Sequence, residues 1–429
     1  MSERYQHSEA FLARALKTIP LGTQTFSKSK TQYPFGVSPY FVSRGKGSHV
    51  WDVDGNEYID FINGLAAITL GYNDSDVTAA VQAQIEQGVI FSLPHPIEMQ
   101  VAEKIVEMVP GAEMVRFGKN GSDATSGALR LARAYTGRDR VAVCGYHGWH
   151  DWYIGSTARN LGVPTTVIDL THIFAYNDLE SLHRIFQQYP NQIAAVIMEP
   201  MNVAEPQDNF IEKVKELAHQ NGAVLIFDET ITGFRYAKGG AQEYFGVKPD
   251  LATFGKGLAN GYPLSAVTGK AEIMQLMEEI FFSFTFGGET LSLAAALATL
   301  TKLQQQPVIE TLFKQGQKVM DKVQNLILHY KVSHILSVSG HPTWSFLLIK
   351  DVPPYSQWQI KTLFLQEVFA RGILTLTTHN MSYAHSDADV ERLLTVYEEV
   401  FPILQDAVDN CVLEKYLHCQ PLEALFKVR

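Results

Sequence analysis

The chain has 429 residues, enough for two or three structural units or for one large α/β core with an added lobe. Hydrophobic residues make up 46% and charged residues 19%, a globular balance that excludes a disordered chain. Lysine and arginine total 35 against 45 aspartates and glutamates, a net charge of −10, which excludes a general binder of nucleic-acid backbone but leaves room for a local pocket holding one phosphate.

The first residues, MSERYQHSEAFLARALKTIP, carry charges throughout, and no run approaches the ~18 apolar residues of a membrane span. Neither a leader nor a membrane segment is predicted. Cys144, Cys411 and Cys419 form no CxxC pair and no even framework, so reduced thiols in a cytoplasmic protein are expected.

Helical spacing over 8–18 ends at Pro20-Leu21-Gly22. Residues 40–62 alternate, with Asp54-Gly55 between two β-rich runs, which predicts a small antiparallel unit with a hairpin. From about 75 to 300, helical stretches (77–88, 97–108, 123–135, 178–187, 210–220) alternate with short apolar runs at 140–145, 193–199, 223–229 and 251–256. Short strands that are apolar on both faces, separated by helices, predict a buried parallel sheet. A long helix over about 308–329, two strands within 334–350, a helix at 357–370, a strand at 372–377 and a helix at 387–408 complete the pattern. The expected architecture is α/β: a large domain (71–300) with a mostly parallel sheet flanked by helices, and a small α+β domain built from both termini (1–70 and 301–429).

In such a sheet ligands bind beyond the carboxyl ends of the strands, so the polar residues there are the ones to read. Lys256 follows the run at 251–256 between Gly255 and Gly257. It is either a loop lysine among glycines or an amine that attacks an aldehyde to form a Schiff base. Asp228 ends the run AVLIFDE. It is placed to hold a protonated ring nitrogen, or to cap a helix, or to pair with Arg235. Gly121 and Ser122 open a helix where backbone N–H groups favour a phosphate, or where the helix is simply capped. Tyr146, after the run at 140–145, is an aromatic that can stack on a planar ring. His147, His150 and Asp151 lack the HExxH spacing, and no metal site is predicted. Glu199 and Asn202 follow the run at 193–199, and Asn202 has an amide to offer a ring oxygen. Thr285 precedes Gly287-Gly288 at a second loop-to-helix junction, able to reach a phosphate in cis or from another subunit. No GxxxxGK[ST] loop and no GxGxxG turn is present, which disfavours a P-loop NTPase and a nicotinamide dehydrogenase.

Taken together, SEAFLARALKTIPLGTQTF, DVDGNEYIDF, NGSDATSGALRLARAYTGRDR, the DETITGFR motif with the later Lys256, and YAHSDADVERLL give the chain a recognisable pattern. It resembles the class III aminotransferases of fold type I, which depend on pyridoxal 5′-phosphate, nearest the glutamate-1-semialdehyde 2,1-aminomutase-like branch. The resemblance implies that Lys256 is the Schiff-base lysine and proton shuttle, and that Asp228 holds the pyridine nitrogen. It places Tyr146 and Ile231 on the two ring faces, Gly121 and Ser122 at the phosphate, and Asn202 near the ring oxygen, with Glu199 as the acid of its motif. Thr285 is implied to reach the phosphate of a neighbouring subunit, hence a homodimer. Where the family has Gly-Asn-Pro after that threonine, this chain has Gly288-Glu289-Thr290, and the aminomutase's early arginine is not evident in TQTFSKSK. The expected activity is ping-pong transfer of an amino group from an amino acid or amine donor to a keto or aldehyde acceptor. The alternatives are a 2,1-aminomutase and a non-catalytic cofactor-binding protein. Glu289, Lys28 and His379 are the first candidates for reading the substrate.

Overall fold

The computed structural model describes residues 3–423. Three strands come early: β1 (Val42–Lys46), β2 (His49–Asp52) and β3 (Glu57–Asp60). Seven follow: β4 (Met114–Gly118), β5 (Arg140–Cys144), β6 (Thr171–Ile173), β7 (Ile193–Met198), β8 (Val224–Asp228), β9 (Leu251–Phe254) and β10 (Ser265–Gly269). Four close the chain: β11 (Leu336–His341), β12 (Trp344–Ile349), β13 (Ile373–Leu374) and β14 (Thr378–Asn380). Contacts divide the described residues into two units, one of residues 3–65, 70–74 and 310–423, the other of 66–69 and 75–309.

The second unit holds a seven-stranded sheet in the order β4-β10-β9-β8-β7-β5-β6. The run β9-β8-β7-β5-β6 is parallel, and β10 is antiparallel to both β9 and β4. Every residue of β7, β8, β9 and β10 is buried, which is why IAAVIM and the VLIF that precedes Asp228 are apolar on both faces and do not alternate. Each large apolar side chain so enclosed contributes about 1.5–3 kcal/mol. The helix Gly121–Thr136 lies on this sheet with Ala124, Ala128, Leu131 and Ala132 inward. It ends at Gly137, whose φ of 66° is the left-handed cap that glycine adopts without a Cβ clash. Among the described residues no helix is long and apolar enough to cross a membrane.

The first unit contains two small sheets, β1-β2-β3-β13 and β11-β12-β14. β1, β2 and β3 form the antiparallel unit expected around Asp54-Gly55, and the amides of His7 and Ser8 in the first helix donate to the Asp54 carboxylate. Of the strand expected at 372–377 only Ile373–Leu374 (β13) forms, and β14 (Thr378–Asn380) follows it in a different sheet. His379, offered by the sequence as a substrate reader, is fully buried: its Nδ1 lies 2.9 Å from Ser345 Oγ and its Nε2 2.9 Å from Tyr397 Oη. His385 stacks on Phe61 at 4.5 Å.

Burial lowers the His379 pKa to about 3 and that of His385 to about 4. Both are neutral when folded at pH 5, whereas an unfolded histidine takes a proton below about 6.5. The unfolded chain then binds more protons, so stability falls as pH drops below about 6.5, by up to about 2.7 kcal/mol per pH unit for the pair. Thermal melts from about pH 7.5 to pH 4.5 are expected to show this slope, and His379→Gln to reduce it by about half. A melting temperature independent of pH over that range would contradict it.

Candidate active site

Asp228 ends β8 and is 4% exposed. Its Oδ2 lies 2.8 Å from His147 Nδ1, and its Oδ1 accepts from the Thr230 amide at 3.1 Å, from Thr230 Oγ1 at 2.6 Å and from Thr253 Oγ1 at 3.2 Å. Burial opposes the charge, but the hydrogen bonds from His147 and Thr230 outweigh it and hold the carboxyl below the usual aspartate range. Asp228 is therefore a buried anion at neutral pH. The hydrogen bonds of Arg235 run elsewhere, to the Ala66 carbonyl and to Thr69 Oγ1.

Gly121 opens the helix beside this acid. A Cβ built on Gly121 would stand 3.1 Å from Thr230 Cγ2 and 3.3 Å from Thr230 Oγ1. The Asp123 carboxylate accepts from the amides of Lys119 at 3.1 Å and Asn120 at 2.7 Å, which stabilises the helix start. Ser122 Oγ accepts from the Trp149 amide at 3.3 Å. Gly148 has a φ of 102° and packs so closely on Ser122 that a side chain there would collide with it. The turn at Gly121-Ser122 is thus shaped by the Tyr146–Trp149 loop as well as by its own helix.

Tyr146 packs edge-on against Tyr153 at 5.5 Å, and its amide donates to Glu199 Oε2 at 2.9 Å. Asn202 Nδ2 donates to the same oxygen at 3.0 Å, so Glu199, itself buried, ties the loop after β5 to the loop after β7.

Lys256 is half-buried and opens a single short helical turn, Lys256–Ala259, after β9. Its φ of 42° lies in the left-handed region, which costs a side-chain-bearing residue about 1–3 kcal/mol and persists only where the surroundings impose it. A Cβ on the preceding Gly255 would lie 3.4 Å from Thr230 Cγ2. Thr230 therefore touches the helix-start glycine, the buried acid and the residue before the lysine. Ile231, the next residue, is 8% exposed.

Thr285 is exposed, in a loop where Phe281 and Phe286 are 86% and 57% exposed. Glu289 caps the helix Thr290–Gln305 by accepting from the Leu291 and Ser292 amides, and pairs with Lys119 at 3.0 Å. Burial opposes its charge, but Ser292 and Lys119 more than offset that and hold its carboxyl below the usual range. Lys28 is exposed.

Sequence reading missed the work of His147. It is 1% exposed, with Nε2 3.2 Å from the Cys144 carbonyl and Nδ1 on Asp228, so both ring nitrogens are engaged. Thr230 and Thr253 were missed in the same way. His147→Leu keeps the bulk and removes the bond. Loss of one partner to a buried charged group costs about 1–3 kcal/mol, so kcat is expected to fall about 10- to 100-fold. The acid limb of the pH–rate profile should move to higher pH, because Asp228 loses its largest stabilising hydrogen bond. An unchanged acid limb would refute this role.

Comparison with known proteins places the chain. Residues 32–383 match the family model for aminotransferase class-III. The chain is 35% identical over 393 residues to 3-aminobutyryl-CoA aminotransferase from Cloacimonas acidaminovorans (strain Evry), covering 89% of this chain and 94% of that protein. It is 38% identical over 429 residues to glutamate-1-semialdehyde 2,1-aminomutase from Francisella philomiragia, covering 92% and 98%. Among solved structures it is similar to the pyridoxal phosphate internal aldimine form of FumI from Sphingopyxis sp. MTA144, with TM-score 0.87, 30% identity and coverage of 96% and 98%. It is also similar to an omega-transaminase from Sphaerobacter thermophilus, with TM-score 0.84, 26% identity and coverage of 94% and 100%. With four-fifths of its length matched by one family model and the fold shared end to end with transaminases, the chain belongs to the class III aminotransferases.

Proposed function

We propose that the protein uses pyridoxal 5′-phosphate to move an amino group from an amino acid or amine donor to a keto or aldehyde acceptor, with Lys256 as the covalent anchor and proton carrier. The observation that carries this reading is the convergence on Thr230 of the Gly121 helix start, the anionic Asp228 and the Gly255-Lys256 step. That arrangement fits a ligand with a phosphate at one end and a protonated ring nitrogen at the other. When bound, the cofactor supplies an electron sink for the bonding pair released at the substrate carbon.

The protein's own groups do the rest. The N–H groups at the helix start, Gly121 and Ser122, would hold the phosphate and favour its charge. Asp228, kept ionised by His147 and Thr230, keeps the ring nitrogen protonated. Tyr146 and Ile231 would hold the ring between them, and Asn202, tied to Glu199, would offer its amide to the ring oxygen. Lys256 Nζ would take the proton from the substrate's α-carbon as a base and deliver it, as an acid, to the cofactor carbon that carried the carbonyl.

The exposed Thr285 among Phe281, Phe284 and Phe286 supports a homodimer in which this loop completes the neighbouring subunit's phosphate site. Sedimentation as a monomer at micromolar concentration would exclude it. Three free cysteines accord with the cytoplasm. We read 71–300 as the cofactor-binding region and the two ends, 1–70 and 301–429, as the smaller domain, with 66–69 and 301–309 grouped by their contacts with the former.

The decisive experiment is a half-reaction. Single amino donors are added to the holoenzyme without acceptor, and the cofactor's visible absorbance is followed. Loss with a donor, reversed by a keto acid, is the expected result and also separates external transfer from the intramolecular aminomutase reaction. No response to any donor would overturn the proposal.

A further inference from the structure

The loop that carries Lys256 is held by a segment far earlier in the chain. Residues 63–66 form a turn in which every φ is positive: 49° at Asn63, 59° at Gly64, 63° at Leu65 and 65° at Ala66. Residues with side chains do not keep that conformation unaided, so contacts beyond the turn hold it. The turn leads into Ala66–Thr69, which packs against Gly257–Gly261. The fully buried Thr69 donates its amide hydrogen to Asn260 Oδ1 at 2.9 Å. Its Oγ1 accepts from Arg235 Nη2 at 3.3 Å, and the same nitrogen reaches the Ala66 carbonyl at 3.4 Å. A Cβ on Gly257 would stand 2.5 Å from Thr69 Oγ1, and one on Gly261 2.6 Å from Ile68 Cδ1. Position 257 therefore requires glycine for this approach, and Gly261 is required for its φ of 97°.

The lysine loop has a left-handed residue at each end. Lys256 opens the turn at φ 42° and Asn260 closes it at φ 45°. Asn260 is the end that Thr69 grips. We propose that Thr69 and Asn260 are positioning residues for Lys256: their hydrogen bond and the Thr69–Gly257 contact hold the loop in the shape that aims the lysine amine, and Arg235 fixes the Thr69 hydroxyl. This inference rests on the reading of Lys256 given above. Relaxation of Lys256 to negative φ would redirect its Cα–Cβ bond and carry the amine away from the reacting carbon, so loss of the grip slows the proton transfers more than it weakens substrate binding.

The test compares three holoenzyme variants. Asn260→Gly accepts the left-handed backbone without strain and removes the side chain that holds the Thr69 amide. Thr69→Val leaves the amide bond to Asn260 and removes the hydroxyl that Arg235 fixes beside Gly257, and Thr69→Ser keeps it. Asn260→Gly and Thr69→Val are expected to lower kcat about tenfold with KM for the amino donor unchanged within about twofold. They should also shift, by about half a unit or more, the pH midpoint at which the lysine-bound cofactor's visible absorbance titrates. Thr69→Ser should restore both readouts. Where Thr69→Val does not fold, Asn260→Gly alone decides. A folded Asn260→Gly protein with wild-type kcat and wild-type midpoint overturns the inference while leaving the role of Lys256 intact. Failure of the wild-type protein to give a borohydride-stable cofactor adduct at Lys256 overturns both.

Discussion

Lys256→Ala is expected to abolish the visible absorbance of the lysine-bound cofactor and to lower kcat by about 10⁴-fold or more. The size follows from two losses at one atom. Without the amine there is no nucleophile to capture the cofactor's carbonyl covalently, and no positioned base to move the proton at the substrate's α-carbon. General acid–base catalysis by a positioned group alone is worth about 10²–10⁴-fold, and the covalent role adds to it. The fold should survive, because Lys256 is half-buried and sits in a region that side chains avoid. Removing three methylenes and an amine there takes away little packing, and the melting temperature of the apo protein should change by only a few degrees. Borohydride reduction followed by peptide mapping gives the complementary result: a cofactor-derived mass on the peptide containing Lys256 in the wild type and on no lysine in the variant. Turnover retained in a complete half-reaction would remove Lys256 from the mechanism.

The parts of this protein that could be read from its sequence were those whose physics is local. IAAVIM and the VLIF that precedes Asp228 are apolar at every position because both faces are covered, whereas a strand with one wet face would alternate with polar residues. The helix over Val308–His329 was legible from its apolar period alone. Strands β4, β6 and β10 were not. MVRFG in β4 alternates between partly buried and exposed positions, THI in β6 is three residues long at the sheet edge, and SAVTG in β10 is small and polar enough to pass for a loop. Their identity depends on neighbours supplied by the sheet. The same divide runs through the site. Asp228, Glu199 and Lys256 stood out because each follows a readable strand. His147 did not, because its partner Asp228 lies 81 residues away. The loop after β5 must cross the end of β7 to reach β8, and only the strand order brings the two together. Thr69 is a stronger case. Nothing in its local sequence marks it, and its grip on Asn260 spans 191 residues.

Asp228→Asn isolates the charge from the geometry, and its effect should be second only to that of removing the lysine. Asparagine is nearly isosteric with aspartate. Its Oδ1 can still accept from the Thr230 amide, Thr230 Oγ1 and Thr253 Oγ1, the three bonds that orient the side chain. Its amide group would face His147 Nδ1, and the imidazole can meet it by presenting that nitrogen as an acceptor, donating from Nε2 to the Cys144 carbonyl. No buried charge is stranded, so the protein should fold and still bind the cofactor. What disappears is the fixed negative charge. The wild-type carboxylate is held ionised despite complete burial, because hydrogen bonds from His147 and Thr230 outweigh desolvation. In that low-dielectric setting an anion strongly favours a proton on the ring nitrogen opposite it, and a neutral amide does not. The ring then loses its capacity to hold the electron pair released at the substrate carbon. Loss of one preorganised electrostatic contact of this kind costs about 10²–10³-fold in kcat. The expected signature is a kcat lower by that factor, cofactor content near one per chain, and little change in the melting temperature. Asp228→Glu supplies the control. It restores the charge but sets it one methylene further along the side chain, so it should recover part of the rate and bind the cofactor less tightly. Near-normal turnover in Asp228→Asn would mean that another group holds the ring nitrogen, and that the buried anion with its histidine serves the fold instead.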